Sequence, residues 1–358
     1  MKKIERYKDF TKLDPEDIDA WINLGDVYFE EANYSKALES YMKASELDPY
    51  SSEVWNNIGL MYSYNGDHQK AIECFQKAIE ISPDDAIVFY NMAYSYEDLG
   101  EVDMAIGHYK KAFEFDPTYI DALNNIALIY KEKDMNNEAI ESYNQALKID
   151  PDNVFILKNL AHLYYDKKEY DKAISLYKLC LEIKPNNAKI WNKLGDLYYD
   201  LNNFDASIDS YKKALEYNPY FIEAMNGLGL CYTFLGYYIK SVYYYKKALK
   251  LDPNDDVLYE NIGYSYNELK RYDKAIYYFK KSIELNPNYS TVWKSLGIVY
   301  QNKNDYDKAI ICYQKALDLF PDDYEIFENL GNIYRIRNEN KKAKECFENA
   351  LKCKSRVS

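Results

Sequence analysis

Apolar and polar positions between Ile18 and Ser51 follow the period of a helix twice over. Trp21, Leu24, Gly25 and Tyr28 fall at i, i+3, i+4 and i+7, which is one stripe of a first helix. Ala37, Tyr41 and Ala44 make the matching stripe of a second helix, and Pro49 ends it because proline has no N–H to donate. Two helices this short cannot bury their stripes alone. Each pair therefore needs a like neighbour on either side.

The neighbours are in the sequence. All ten prolines, from Pro15 and Pro49 through to Pro287 and Pro321, lie 34 residues apart without a slip. The helical hairpin recurs over 18–51, 52–85, 86–119, 120–153, 154–187, 188–221, 222–255, 256–289, 290–323 and 324–357, numbered repeats 1 to 10 below. With the W-x-x-L-G-x-x-Y, A-x-x-x-F/Y and P pattern and the 34-residue period, residues 18–357 resemble the tetratricopeptide repeat family. The resemblance implies an all-α fold: an α-solenoid, a right-handed superhelix of tandem helix-turn-helix repeats. Residues 1–17 keep the second-helix stripe at Ile4, Tyr7, Phe10 and Leu13, and read as an N-terminal capping helix with a lysine-rich polar side. The last second helix is more charged than its counterparts. It reads either as its own cap or as a point where the chain once continued.

Small residues set how closely the helices meet. Position 8 of each repeat is glycine or alanine, including Gly25, Gly59, Ala93, Gly195 and Gly331, so a large side chain there should overpack the crossing. Position 11 is tyrosine in every repeat, from Tyr28 to Tyr334. These rings, with Trp21, Trp55, Trp191 and Trp293 at position 4, are expected in the core. Asp84, Asp152, Asn186, Asn254, Asn288 and Asp322, each directly after a proline, are expected to help cap the helix that follows.

Charge narrows the partners. A net charge of −13 argues against nucleic acid and against anionic membrane surfaces, since both need a basic face. No apolar run is long enough to span a bilayer, and the basic start of the chain lacks the apolar core of a secretory signal. The six cysteines show no C-x-x-C spacing and no nearby histidine pair, so no metal is expected and a reducing, cytoplasmic setting is. His68, His108 and His162 occupy different repeat positions, and no phosphate-binding glycine loop is present. Catalysis is not expected, and no cofactor is.

The resemblance further implies that first helices line a concave groove, with positions 2, 5, 6, 9, 12 and 13 facing it. Position 6 is asparagine at Asn23, Asn57, Asn91, Asn125, Asn159, Asn261 and Asn329. Such a row is similar to the asparagine ladder in the repeat region of O-linked N-acetylglucosamine transferase, whose catalytic domain has no counterpart here. Two readings stand open. The amides hold a peptide backbone, or they bond within the wall. Tyr90 and Tyr94 offer aromatic footholds, while Asp19, Asp26, Glu30, Glu97, Asp98 and Glu132 make the N-terminal stretch acidic.

Lys158, Asn159, His162, Lys189 and Lys193 form one basic island. Asn159, Lys189 and Lys193 match the carboxylate clamp of some tetratricopeptide co-chaperones, but Asn124 and Leu128 stand where that clamp has lysine and asparagine. The predicted function is a non-catalytic protein-interaction scaffold taking an extended peptide or helical segment of a partner protein. The alternatives are a regulatory or substrate-presenting subunit of a glycosyltransferase or chaperone assembly, and a self-associating array. A monomer, or weak end-to-end association, is expected.

Overall fold

A computed structural model describes residues 2–357 of the chain. All its described elements are α-helices: Lys2–Leu13, then ten helix pairs, each helix of a pair packed most closely on its partner and, within residues 2–183 and 184–357, next on its sequence neighbours. First helices span 13 residues, as in Ile18–Glu30 and Asp256–Glu268, and second helices 14, as in Tyr34–Leu47 and Tyr238–Leu251. The last second helix, Asn340–Val357, runs to 18. The architecture is an all-α solenoid. It divides into two compact bodies, an N-terminal half, Met1–Ile183, and a C-terminal half, Lys184–Ser358.

The core of each half follows the stripes read from sequence. Ala71, Phe75 and Ala78 of repeat 2 and Ala309, Tyr313 and Ala316 of repeat 9 are fully buried, as the i, i+4, i+7 spacing requires. Position 8 packs on the aromatic ring at position 24 of the same repeat. A Cβ added at Gly25 would lie 2.5 Å from Tyr41, and one at Gly195 would lie 2.6 Å from Tyr211. Tyr211 is pressed from the next repeat as well, where a Cβ on Gly227 would lie 2.3 Å from its Cζ. All four tryptophans lock the entry of their repeat by donating the indole N–H to the proline carbonyl six residues back, at 2.8 to 3.0 Å.

Helix caps sit one residue later than the sequence suggested. Asp85, Asn153, Asn187, Asp255 and Asp323, the second residue after each proline, accept the N-terminal backbone N–H groups of the following helix. The residue directly after proline is still in the turn, before the extended backbone that an N-cap requires. The turn between paired helices needs one residue in the left-handed region. Gly66, Gly100 and Gly236 supply it without strain, whereas Ala32, Lys168 and Lys270 do so with φ near 55 to 61°.

The thiols of Cys74, Cys180, Cys231, Cys312 and Cys353 are buried, and burial pushes those of Cys74, Cys180 and Cys312 up to about 11. No helix among the described residues is long and apolar enough to cross a membrane.

Candidate functional site

First helices place positions 5 and 6 of successive repeats side by side, and in the N-terminal half the two positions are stitched together. Asn91 Nδ2 donates to Asn56 Oδ1 at 2.9 Å, and Asn159 Nδ2 to Asn124 Oδ1 at 3.0 Å. Between them, Asn125 Nδ2 donates to the Tyr90 hydroxyl at 3.0 Å and to the Tyr109 hydroxyl at 3.2 Å. In each of the three cases position 6 of one repeat reaches position 5 of the repeat before. The amide nitrogens are spent inside the wall. Asn124 is itself buried and donates to Asn125 Oδ1 at 3.3 Å, so repeats 3 to 5 share one run of side-chain amides and hydroxyls, while Asn91 and Asn56 join repeats 2 and 3 as a separate pair.

Where position 5 offers no acceptor, the stitch is missing for a chemical reason. Ile22 precedes Asn57, and Lys294, a donor only, precedes Asn329. Asn23, with no repeat before it, donates to the Asp19 carbonyl of its own helix at 2.6 Å. The C-terminal half departs further. Position 6 of repeat 7 is Gly227, so the buried Asn192 loses its expected donor, and its Oδ1 has no hydrogen-bond partner. Asn226 Oδ1, facing the Asn261 register, is likewise buried without one. Lys294 turns instead to Asp323 and Glu325, both at 2.9 Å, and these partners raise its pKa against the opposing effect of burial.

Several first-helix carboxylates are engaged by tyrosines of the paired helix. The buried tyrosine at position 24 donates its hydroxyl to Asp26 at 2.7 Å in repeat 1, to Glu97 at 2.8 Å in repeat 3 and to Asp196 at 2.9 Å in repeat 6. Burial raises the pKa of Glu97, opposed by that hydroxyl. Tyr143 of repeat 4 stands apart: Leu128 and Lys131 occupy the acceptor positions, and its buried hydroxyl has no partner. Sequence reading had placed position 5 beside position 6 and named Asn124 as a departure from the clamp, but gave Asn56, Asn124, Asn192 and Asn226 no pairing role. The available signal was a polar residue directly before every asparagine of the row except Asn23, which follows Ile22.

The remaining expected site residues fall in different surroundings. Tyr90 is half-buried against Tyr109 and Tyr119, with ring centroids 5.3 and 4.9 Å away. Tyr94 is exposed, its hydroxyl pKa raised chiefly by the nearby Asp98. Lys158 lies 4.5 Å over the Phe155 ring. These belong to the N-terminal half. In the C-terminal half Lys189 is exposed, and Lys193 pairs with Asp196 at 3.0 Å. Among the described residues, no group of three His, Cys, Asp or Glu side chains is placed to hold a metal ion.

Family models described as tetratricopeptide repeat match residues 18–51, 52–85, 86–119, 120–153, 152–219, 192–256, 255–322 and 312–345. Among solved structures, the chain is similar to the C-terminal part of a tetratricopeptide repeat-containing protein from Cytophaga hutchinsonii. That match has 21% identity and a TM-score of 0.58 and covers 67% of this chain and 99% of that one. A tetratricopeptide repeat protein from Parabacteroides merdae matches with 21% identity and a TM-score of 0.51, covering 75% of this chain and 99% of that one. MamA matches with 27% identity and a TM-score of 0.44 over 46% of this chain and 96% of that one. No curated protein sequence matches the chain.

Proposed function

The chain belongs to the tetratricopeptide repeat family, and from that premise we propose that it is a non-catalytic interaction scaffold whose first-helix wall binds an extended segment of a partner protein. The observation that carries the reading is the set of cross-repeat amide bonds from Asn91 to Asn56, from Asn125 to Tyr90 and from Asn159 to Asn124. Because Nδ2 of each position-6 amide is committed to the wall, its orientation is fixed. The Oδ1 atoms of Asn91 and Asn159 then remain as acceptors at a regular interval for the backbone N–H groups of an extended peptide. Tyr94 and Phe155, both exposed, supply apolar footholds beside the row. Cysteines that are mostly buried and not joined in disulfides suit a reducing compartment, in keeping with a cytoplasmic location.

The test uses unstructured 12-residue peptides displayed on phage and selected on the intact protein. Selected peptides are expected to lose about tenfold in affinity, or about 1.4 kcal/mol, for an Asn91→Ala/Asn159→Ala variant of equal helicity at the assay temperature. Backbone N-methylation of the peptide should weaken binding as much as the variant does. Peptides that bind variant and parent alike, or that ignore N-methylation, would place the partner elsewhere.

A further inference from the structure

We propose that the exposed side of the second helices in repeats 7 to 9 is a docking surface for an amphipathic helix with an apolar stripe and acidic flanks. Position 22 of the repeat faces solvent, and over most of the chain it is charged, polar or glycine: Glu39, Glu73, Gly107, Glu141, Ser175, Asp209 and Glu345. In three consecutive repeats it becomes Tyr243, Tyr277 and Ile311, which remain 53, 55 and 57% exposed. Ile239, one turn before Tyr243 on the same helix, is 69% exposed. Isolated exposed apolar residues are ordinary. Three at one register on successive helices, with a fourth alongside, form a patch.

The charge changes at the same place. Helix Tyr238–Leu251 carries Lys240, Lys246, Lys247 and Lys250 and no Asp or Glu, whereas every other second helix carries at least one carboxylate. This occurs in a chain of net charge −13. Three of its four lysines lie over tyrosine rings in place of carboxylates. Lys247 Nζ is 4.8 Å from the Tyr243 ring, Lys240 is 5.1 Å from Tyr237, and Lys246 is 5.4 Å from both Tyr266 and Tyr278. Lys246 thus reaches from helix Tyr238–Leu251 to a ring on helix Tyr272–Leu285. Tyr243 and Tyr277 stand edge-on to Tyr244 and Tyr278, at 5.1 and 5.2 Å, and are braced by them. Neighbouring acids are already neutralised: Asp273 pairs with Lys303, and Asp307 with Arg337 at 2.6 Å.

The surface thus offers rigid aromatic anchors beside ammonium groups that have no carboxylate partner. Its occupant should bring apolar side chains for the anchors and carboxylates for the lysines, as an acidic amphipathic helix does. A membrane surface or a nucleic acid is disfavoured because the positive patch is confined to one helix of an otherwise acidic chain, too narrow for an extended anionic surface. This surface is independent of the first-helix wall. Either can fail without the other.

The probes are two fluorescein-labelled 18-residue helical peptides sharing one leucine stripe, one flanked by glutamate and one by lysine. Fluorescence anisotropy is read with the intact protein, with Tyr243→Ser/Tyr277→Ser, and with Lys247→Glu. Both substitutions are at exposed positions, and circular dichroism checks that the helices persist. The glutamate peptide is expected to bind at least tenfold more tightly than the lysine peptide. It should lose at least tenfold on the double tyrosine variant and about fivefold on Lys247→Glu, and weaken with added salt. Equal binding of the two peptides, or indifference to both variants, overturns the proposal. So does a concentration-dependent dimer, or binding to phosphatidylserine vesicles, that the tyrosine variant abolishes: the occupant would then be a second copy or a membrane.

Discussion

The two halves of the chain use the same residue type at the same repeat position to opposite effect. In the N-terminal half, asparagine at position 5 is an accepted partner: Asn56 and Asn124 each receive an amide N–H from the next repeat. In the C-terminal half, the side-chain oxygens of Asn192 and Asn226 are buried at the same position and unmatched. At Asn192 the difference traces to Gly227, which takes the place of the donor because the Tyr211 ring needs that space, whereas Asn226 is left unmatched although Asn261 stands in the donor position. A consensus residue therefore has no fixed energetic value. Its worth is set by the neighbouring repeat.

The comparison can be broken in several ways, beginning with the tightest contact. Gly195→Leu would drive a branched side chain into the Tyr211 ring, itself held by Gly227 on the other side. It should cost about 3 kcal/mol and lower the thermal midpoint of the C-terminal half first. An unchanged melting curve would show that the Gly195–Tyr211 packing is not what closes repeat 6. Next, Asn124→Ala should cost about 2 kcal/mol in urea unfolding because it strips a partner from Asn159, whereas Asn192→Leu should be within about 0.5 kcal/mol of the parent because removing an unmatched oxygen offsets the loss of a long Nδ2–Asp196 hydrogen bond of 3.3 Å. Equal costs would erase the contrast.

The tyrosines at position 24 sharpen it. Tyr143→Phe removes a buried hydroxyl that has no partner and should stabilise by about 1 kcal/mol, while Tyr211→Phe should destabilise by about as much because it takes a donor from Asp196. The smallest effect concerns acidity. The folded pKa of Glu97 is raised by burial, so the fold prefers its protonated form. Its favourable contribution is complete below the ordinary value of 4.5 and is lost as pH rises through the folded pKa. Glu97→Gln should flatten the stability profile just above pH 4.5 and leave the acid limit unchanged. A parallel shift at every pH would assign the effect to packing.

The helices, their pairing and the glycine contacts were legible because spacing alone dictates them. Gly25, Gly59 and Gly195 sit against the rings that a 34-residue hairpin brings to them. The caps were misplaced by one residue, since Asp84 and Asp85 are chemically equivalent and only the backbone distinguishes turn from N-cap. The asparagine row was legible as a row but not as a circuit. Asn159→Ala reads from sequence as harmless to folding, yet its amide serves the buried Asn124. That pairing joins residues 35 apart and depends on what stands at position 5, which no single-helix pattern encodes.

The distinction between contacts made within a repeat and contacts made across repeats also governs how such a gene could change. A tyrosine hydroxyl and its acceptor, as in Tyr109 and Glu97, lie in the same 34-residue segment, so duplicating or excising that segment moves both together. The amide pairs are split between segments and are dealt out again by every such event. Excision of 86–119 would bring Asn125 to Asn56, one asparagine replacing another, and leave the run intact. Excision of 222–255 would bring Asn261 to Asn192, giving the stranded oxygen a donor but setting a Cβ where Tyr211 now tolerates only glycine. The order of the repeats is thus inherited information in its own right, carried by bonds that no repeat contains by itself.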